Sequence, residues 1–77
     1  MDLKKFIENF KDQFIDAEEI TVEASTKFRD LGSWDSLTGM SILVMIKDEY
    51  DVEMKPADLR KCETVQDVFD YVTSSKT

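Results

Sequence analysis

The segment Leu31–Leu37 places a serine hydroxyl at the predicted start of an apolar helix. Asp35 is a typical N-cap residue, and Ser36 follows it after a loop that contains Gly32. The free N–H groups and the dipole at a helix start stabilise an anion, so a phosphate ester on Ser36 would be favoured there. The same residue types are common in ordinary helix caps. The motif by itself therefore leaves both interpretations open.

The spacing of apolar residues predicts four helices around this segment. They cover 3–15, Ser36–Tyr50, Pro56–Arg60 and 65–72, with a long loop over 16–35. Asp2, Asp35 and Thr64 stand at N-cap positions, and Pro56 suits the first turn of the short third helix. Asp67 completes an acidic version of the capping box with Thr64. Since no segment alternates as a strand would, we expect an all-α fold, a small bundle of three main helices plus one short helix.

Composition limits the classes of function that the chain can have. It has 77 residues, no histidine, one cysteine and a net charge of −7. The length predicts a single domain over 1–77, ordered over about 2–73, with a frayed tail over 74–77. The absence of histidine excludes Ser-His-Asp and Cys-His catalytic sets, and a single cysteine excludes an internal disulfide and argues against a zinc site. The negative charge argues against binding to nucleic acid.

The sequence also indicates where the protein works. The N-terminal residues are charged and lack the apolar stretch of a signal peptide. The longest apolar run, Ile42 to Ile46, is far shorter than a membrane span. With a single cysteine and no targeting segment, we expect a protein of the cytoplasm that does not insert into a membrane. We also expect a monomer.

Over nearly its whole length the sequence resembles the acyl carrier protein family. Asp35-Ser36-Leu37 is similar to the family's attachment motif, and the apolar helix after it is similar to the family's second helix. The run 64–72 resembles the closing helix of the family. The resemblance implies that a phosphopantetheinyl transferase moves a 4′-phosphopantetheine arm from coenzyme A to Ser36. It also implies that acyl groups are held on the arm as thioesters, and that the protein is not an enzyme.

The resemblance assigns two further groups of residues around the second helix. A stripe that faces partners, which would be acyl-transferring, synthase or ligase enzymes, consists of Leu37, Met40, Ser41, Val44 and Asp48. An interior that would shelter the acyl chain consists of Phe28, Ile42, Ile46, Met54, Leu59, Cys62 and Val68. Members of the second group are also ordinary core candidates, so their role stays open.

Two departures from the family pattern suggest a specialised carrier. The early second helix reads Thr-Gly-Met-Ser over 38–41, where carriers of general fatty acid synthesis have more acidic residues. Trp34 precedes Asp35 where commoner members have Gly-x-Asp, and it either packs the loop or meets a partner. We predict a carrier that serves one dedicated pathway rather than general fatty acid synthesis. That pathway would be of the fatty acid, polyketide-like or another acyl-transfer type. The alternative is an unmodified helical interaction module that binds a partner through the same stripe.

Overall fold

The computed structural model describes residues 2–76, except for the side chain of Lys76. Its helices are α1 (Leu3–Lys11), α2 (Ser36–Tyr50), α3 (Pro56–Arg60) and α4 (Val65–Lys76). A 3₁₀ turn covers Phe28–Asp30. Within residues 2–76 there is no strand, and an isolated antiparallel bridge joins Lys27 to Thr64. The predicted all-α bundle of three main helices and one short helix is confirmed.

Helix α1 ends at Lys11 rather than at the predicted Ile15. Its start is as expected, since the Asp2 carboxylate accepts a backbone N–H of the first turn at 3.0 Å. Beyond the helix, the N–H groups of Gln13 and Phe14 bond to carbonyls three residues back. This tighter turn ends the helix, keeps Phe14 in the core and leaves Ile15 94% exposed.

Helices α2 and α3 have the predicted bounds. Asp51 ends α2 in the left-handed conformation, with φ 55°, and its N–H bonds to the Lys47 carbonyl at 3.0 Å. Aspartate tolerates this conformation better than most residues because its side chain is short and polar. Pro56 opens α3, where its missing N–H would have no helical partner anyway.

Helix α4 continues to Lys76 rather than ending at Val72. Its start has the predicted reciprocal cap: the Thr64 hydroxyl accepts the Asp67 N–H at 3.2 Å, and the Asp67 carboxylate accepts the Thr64 N–H at 3.1 Å. In the last turns, the Ser75 hydroxyl donates to a carbonyl four residues earlier at 2.9 Å. Residues 74–76, predicted as a frayed tail, are therefore helical, and position 77 lies outside the described residues.

The core lies where α1 packs against α2 and α4, and where α2 packs against α3. Apolar side chains from α1, α2, α4 and the segment before α2 meet there without contact with solvent. The largest of them are Phe6, Phe10, Phe28, Ile42, Ile46, Val65, Val68 and Val72. The fold thus depends on α2 being buried along one side, which leaves its other side to solvent.

The long segment between α1 and α2 is tied to the rest of the fold. The carbonyls of Thr26 and Ala24 accept the first two N–H groups of α4, at 3.2 and 2.9 Å. Phe28 is fully buried, and its ring lies edge-on to Phe10 with centroids 5.4 Å apart. Because its backbone and its aromatic ring both have partners, this segment follows a fixed path to the start of α2.

Candidate functional site

Ser36 is the first residue of α2 and is exposed to solvent. Its hydroxyl makes no hydrogen bond with any of the residues that the structure describes. The hydroxyl of Ser33 differs, because it donates to the Asp16 carboxylate at 2.6 Å. Of these two neighbouring serines, Ser36 is the one whose oxygen is open to a modifying enzyme.

Asp35 fixes the first turn of α2. Its carboxylate accepts the Thr38 N–H at 2.7 Å and the Thr38 hydroxyl at 2.9 Å. The hydrogen bond from the Thr38 backbone, followed by that from its hydroxyl, lowers the pKa of Asp35. The predicted N-cap is confirmed, but the sequence did not predict that the Thr38 N–H and hydroxyl would both bind the Asp35 carboxylate. A threonine at the third helical position was the signal, since that is where a capping partner stands.

The fold should be less stable at acidic pH than at neutral pH. Backbone hydrogen bonds lower the pKa of both Asp35 and Asp67 below the ordinary 3.8. A carboxyl with a lowered folded-state pKa stabilises the fold fully above its unfolded-state pKa, and this stabilisation is lost as pH falls through the folded-state pKa. We expect the midpoint temperature of thermal unfolding, measured by circular dichroism, to decrease as the pH is lowered below about 4.

The double variant Asp35→Asn, Asp67→Asn is the control for this pH dependence. Asparagine can also accept the capping hydrogen bonds, but it does not titrate. Its unfolding midpoint should be lower than that of the wild type near neutral pH and approach it in acid. The same fall in midpoint for both proteins would contradict the assignment of the effect to these two carboxyls.

Aromatic side chains position the loop that leads to Ser36. The ring of Trp34 lies 5.2 Å from that of Phe28 and 6.3 Å from that of Phe14, between centroids. Phe28 packs in turn against Phe10 of α1. Trp34 therefore packs the loop, which is one of the two roles predicted for it, and it links the start of α2 to the core.

Gly39 makes room for the Trp34 indole. A β-carbon at position 39 would lie 3.3 Å from the Cη2 atom of Trp34, closer than ordinary packing allows. Glycine inside a helix costs about 1 kcal/mol relative to alanine, and close contact with the indole is the structural reason for it here. Sequence analysis did not pair these residues. The signal was a glycine inside an apolar helix that begins shortly after the single tryptophan.

The stripe predicted to face partners lies on the solvent side of α2. Leu37 is 77% exposed, and Met40 and Val44 are each 56% exposed. Ser41 and Asp48 are exposed as well. The structure thus brings the stripe together on one face, next to Ser36, and large apolar side chains grouped on a surface are typical of interaction sites.

The seven residues predicted to shelter an acyl chain are all buried. A cavity of about 320 Å³ opens between α2 and α3 beside Ser36, and of the seven only Leu59 is on its wall. Met54 and Cys62 border separate hollows, and the rest pack as ordinary core. The role of the seven residues in sheltering an acyl chain stays a prediction.

Cys62 is a buried free cysteine. Burial, followed by the charge of Asp67, raises the pKa of its thiol, which donates to the Asp58 carbonyl at 3.5 Å. Thiols react as thiolates, so a raised pKa lowers their reactivity.

Neither a metal centre nor a membrane helix is found over residues 2–76. No group of histidine, cysteine, aspartate and glutamate there could hold a metal ion. No helix in the same range is long and apolar enough to cross a membrane.

Comparison with known proteins identifies the family of this chain. Residues 9–72 match the family described as "Phosphopantetheine attachment site". The chain is 43% identical over 70 residues to the acyl carrier protein of Syntrophus aciditrophicus (strain SB), covering 90% of this chain and 85% of the relative. It is 37% identical over 62 residues to that of Syntrophobacter fumaroxidans (strain DSM 10017 / MPOB), covering 80% and 74%. No solved structure gave a significant match.

The helical fold, the exposed serine at the start of α2 and the match over 9–72 define a domain that carries phosphopantetheine. The chain belongs to the acyl carrier protein family. It is a carrier and not an enzyme, and its cofactor is covalently attached 4′-phosphopantetheine. Membership implies interaction with a phosphopantetheinyl transferase and with enzymes that handle acyl groups. The resemblance stated from the sequence is confirmed.

Proposed function

We propose that Ser36 carries the phosphopantetheine arm and that the chain holds acyl intermediates for one dedicated acyl-transfer pathway. The observation that carries this proposal is the exposed Ser36 hydroxyl, directly after the Asp35 cap and inside the matched range 9–72. Ser33 is hydrogen bonded to Asp16, which makes it a poorer acceptor. When bound, the arm supplies a terminal thiol that holds an acyl group as a thioester.

The start of α2 suits a phosphate ester on the Ser36 oxygen. The first N–H groups of a helix have no helical partners, and the dipole of a 15-residue helix favours negative charge at this end. The Asp35 carboxylate already binds the Thr38 N–H, and it thereby holds the turn in place. The protein's own contribution is to present an oxygen on a rigid turn. There a transferase can join this oxygen to the phosphorus of the phosphopantetheine part of coenzyme A, as the diphosphate bond breaks, adenosine 3′,5′-bisphosphate leaves and the hydroxyl proton is lost.

The exposed stripe of α2 is the surface that we assign to partner enzymes. Leu37 and Met40 lie closest to Ser36 along the helix, so an enzyme that reaches the arm would contact them. The first charged residue of α2 is Lys47, more than two turns from Ser36. Apolar contact would therefore contribute more to docking than charge, which favours a dedicated partner over one that relies on a basic patch.

The double variant Leu37→Ala, Met40→Ala should weaken docking. With a broad-specificity phosphopantetheinyl transferase as the probe, we expect KM for the carrier to rise about tenfold, as for the loss of apolar anchor residues at an interface. Ile15→Ala is the control, because Ile15 is an exposed apolar side chain outside α2. Equal effects of the double variant and the control on KM would contradict the assignment.

A two-step mass measurement tests the proposed function. The chain is first incubated with coenzyme A, magnesium and the transferase, and then loaded with an acyl group. We expect a gain of one phosphopantetheinyl group, followed by an acyl gain that hydroxylamine removes, since hydroxylamine cleaves thioesters. No gain with several transferases, on a sample shown to be folded, would contradict the proposal and favour an unmodified interaction module.

A further inference from the structure

The cavity beside Ser36 combines apolar walls with two cationic side chains. At about 320 Å³ it is large enough for a small organic group. No aspartate or glutamate is on its wall. The residues that form it are Arg29, Trp34, Ser36, Gly39, Met40, Leu43, Pro56, Leu59 and Arg60.

Both arginines of the chain border this one cavity. The other eight cations of the chain are lysines, and none of them is on its wall. Arginine presents a planar fork of N–H donors that fits a carboxylate through two parallel hydrogen bonds, which lysine cannot do. In a chain with a net charge of −7, a cavity with two arginines and no carboxylate is a selective place for an anion.

Arg29 is held in place by neutral groups. Its Nη1 donates to the Leu59 carbonyl at 3.2 Å, and its guanidinium lies 5.3 Å from the centre of the Phe28 ring. Among the residues that the structure describes, the ion pair with N···O within 4 Å is Lys47–Asp51, so Arg29 is not paired with a carboxylate there. The guanidinium is thus oriented by neutral groups and keeps donors for a ligand. Asp30 and Glu63 border a second hollow together with Arg29, but their carboxylates lie more than 4 Å from its guanidinium.

We propose that this cavity binds the far end of the carried acyl group and that this end bears a carboxylate. The cargo would be a dicarboxylic acid joined to the arm through one carboxyl group. Its apolar middle would contact Trp34 and Leu59, and its free carboxylate would pair with Arg29 and Arg60. The proposal rests on attachment at Ser36. Both arginines are exposed and can reach a ligand at the cavity, so a neutral chain would gain nothing from them. A phosphate would gain nothing from the apolar walls.

The test compares two cargoes of equal length on the chain loaded at Ser36. One is the adipoyl group, with a free carboxylate, and the other is its neutral monomethyl ester. The fluorescence of Trp34, the single tryptophan, reports on the cavity wall. The rate of thioester cleavage by hydroxylamine reports on shelter of the cargo. We expect adipoyl to change the Trp34 emission and to slow cleavage about threefold relative to the ester, as for partly exposed ion pairs.

Three variants separate the arginines from general charge. Arg29→Gln and Arg60→Gln should each reduce the difference between the two cargoes, and Lys61→Gln, which removes a cation outside the cavity, should keep it. The same behaviour for both cargoes, or an unchanged difference in both arginine variants, would overturn the proposal. If the arm without an acyl group already produced the full change in Trp34 emission, the arginines would be assigned to the phosphate of the arm instead. Intact mass, read first, distinguishes these results from a failure of loading, which would overturn the proposed function itself.

Discussion

The variant Ser36→Ala should take up no phosphopantetheine at all. In the proposed function the phosphoester forms on the Ser36 oxygen, and alanine offers no atom in its place. The fold should be retained, because alanine suits the first turn of a helix and Asp35 would still bind the Thr38 N–H. We expect an unfolding free energy within about 0.5 kcal/mol of the wild type, as for other surface substitutions. Intact mass measures the loading, and chemical denaturation measures the stability.

Two other serines provide matched controls for this prediction. Ser33→Ala removes the hydrogen bond to Asp16, and Ser25→Ala removes an exposed hydroxyl in the loop before α2. Both variants should be loaded as the wild type is. Loading that persists in Ser36→Ala, or that disappears in one of the two controls alone, would place the arm on a different residue.

The variant Phe28→Ala should destabilise the fold by about 3–5 kcal/mol, as is usual for loss of a fully buried phenylalanine. Phe28 is without contact with solvent, and its ring packs against those of Phe10 and Trp34. Its loss would leave a cavity between α1 and the loop that leads to Ser36. Since small domains have about 5–15 kcal/mol of stability in total, this variant should be close to unfolding at room temperature.

The same substitution at Phe69 is the control. Phe69 is only partly buried and contacts the Phe6 ring, so its loss should cost less. Urea unfolding followed by circular dichroism measures both variants. The Trp34 emission of Phe28→Ala should also move to longer wavelength under native conditions, because Trp34 loses a packing partner. Equal losses of stability at both positions would contradict the role of Phe28 in fixing the loop.

Local sequence signals predicted the middle of the fold better than its ends. Pro56 and the Asp35 cap gave the starts of α3 and α2 because each acts within its own turn. The end of α1 depends on a tighter turn that carries Phe14 into the core, and periodicity alone does not show such a turn. Helix α4 continues past Val72 through polar residues, such as Ser75, whose hydroxyl bonds back to the helix, and apolar periodicity does not predict this extension.

In the candidate site, too, features within one turn were predictable and features that depend on tertiary packing were not. Asp35 and Ser36 are adjacent, so their geometry follows from a helix start that the sequence predicts. Arg29 lies in the 3₁₀ turn and Arg60 at the end of α3, and tertiary packing, which includes the hydrogen bond from Arg29 to the Leu59 carbonyl, brings them to one cavity. The contact between Trp34 and Gly39 is likewise a product of tertiary packing. Residue types indicated the attachment chemistry, while the surroundings of the arm required the structure.

The most direct test of the central claim is to locate the arm on the loaded wild-type chain. Trypsin cleaves after Arg29 and Lys47, and the resulting peptide of residues 30–47 contains Ser33, Ser36 and Ser41. Fragmentation of this peptide in a mass spectrometer assigns the modification to one of them. We predict a single phosphopantetheinyl group on Ser36. An unmodified peptide 30–47 from a chain that has gained the mass, or the group on another hydroxyl, would contradict the account.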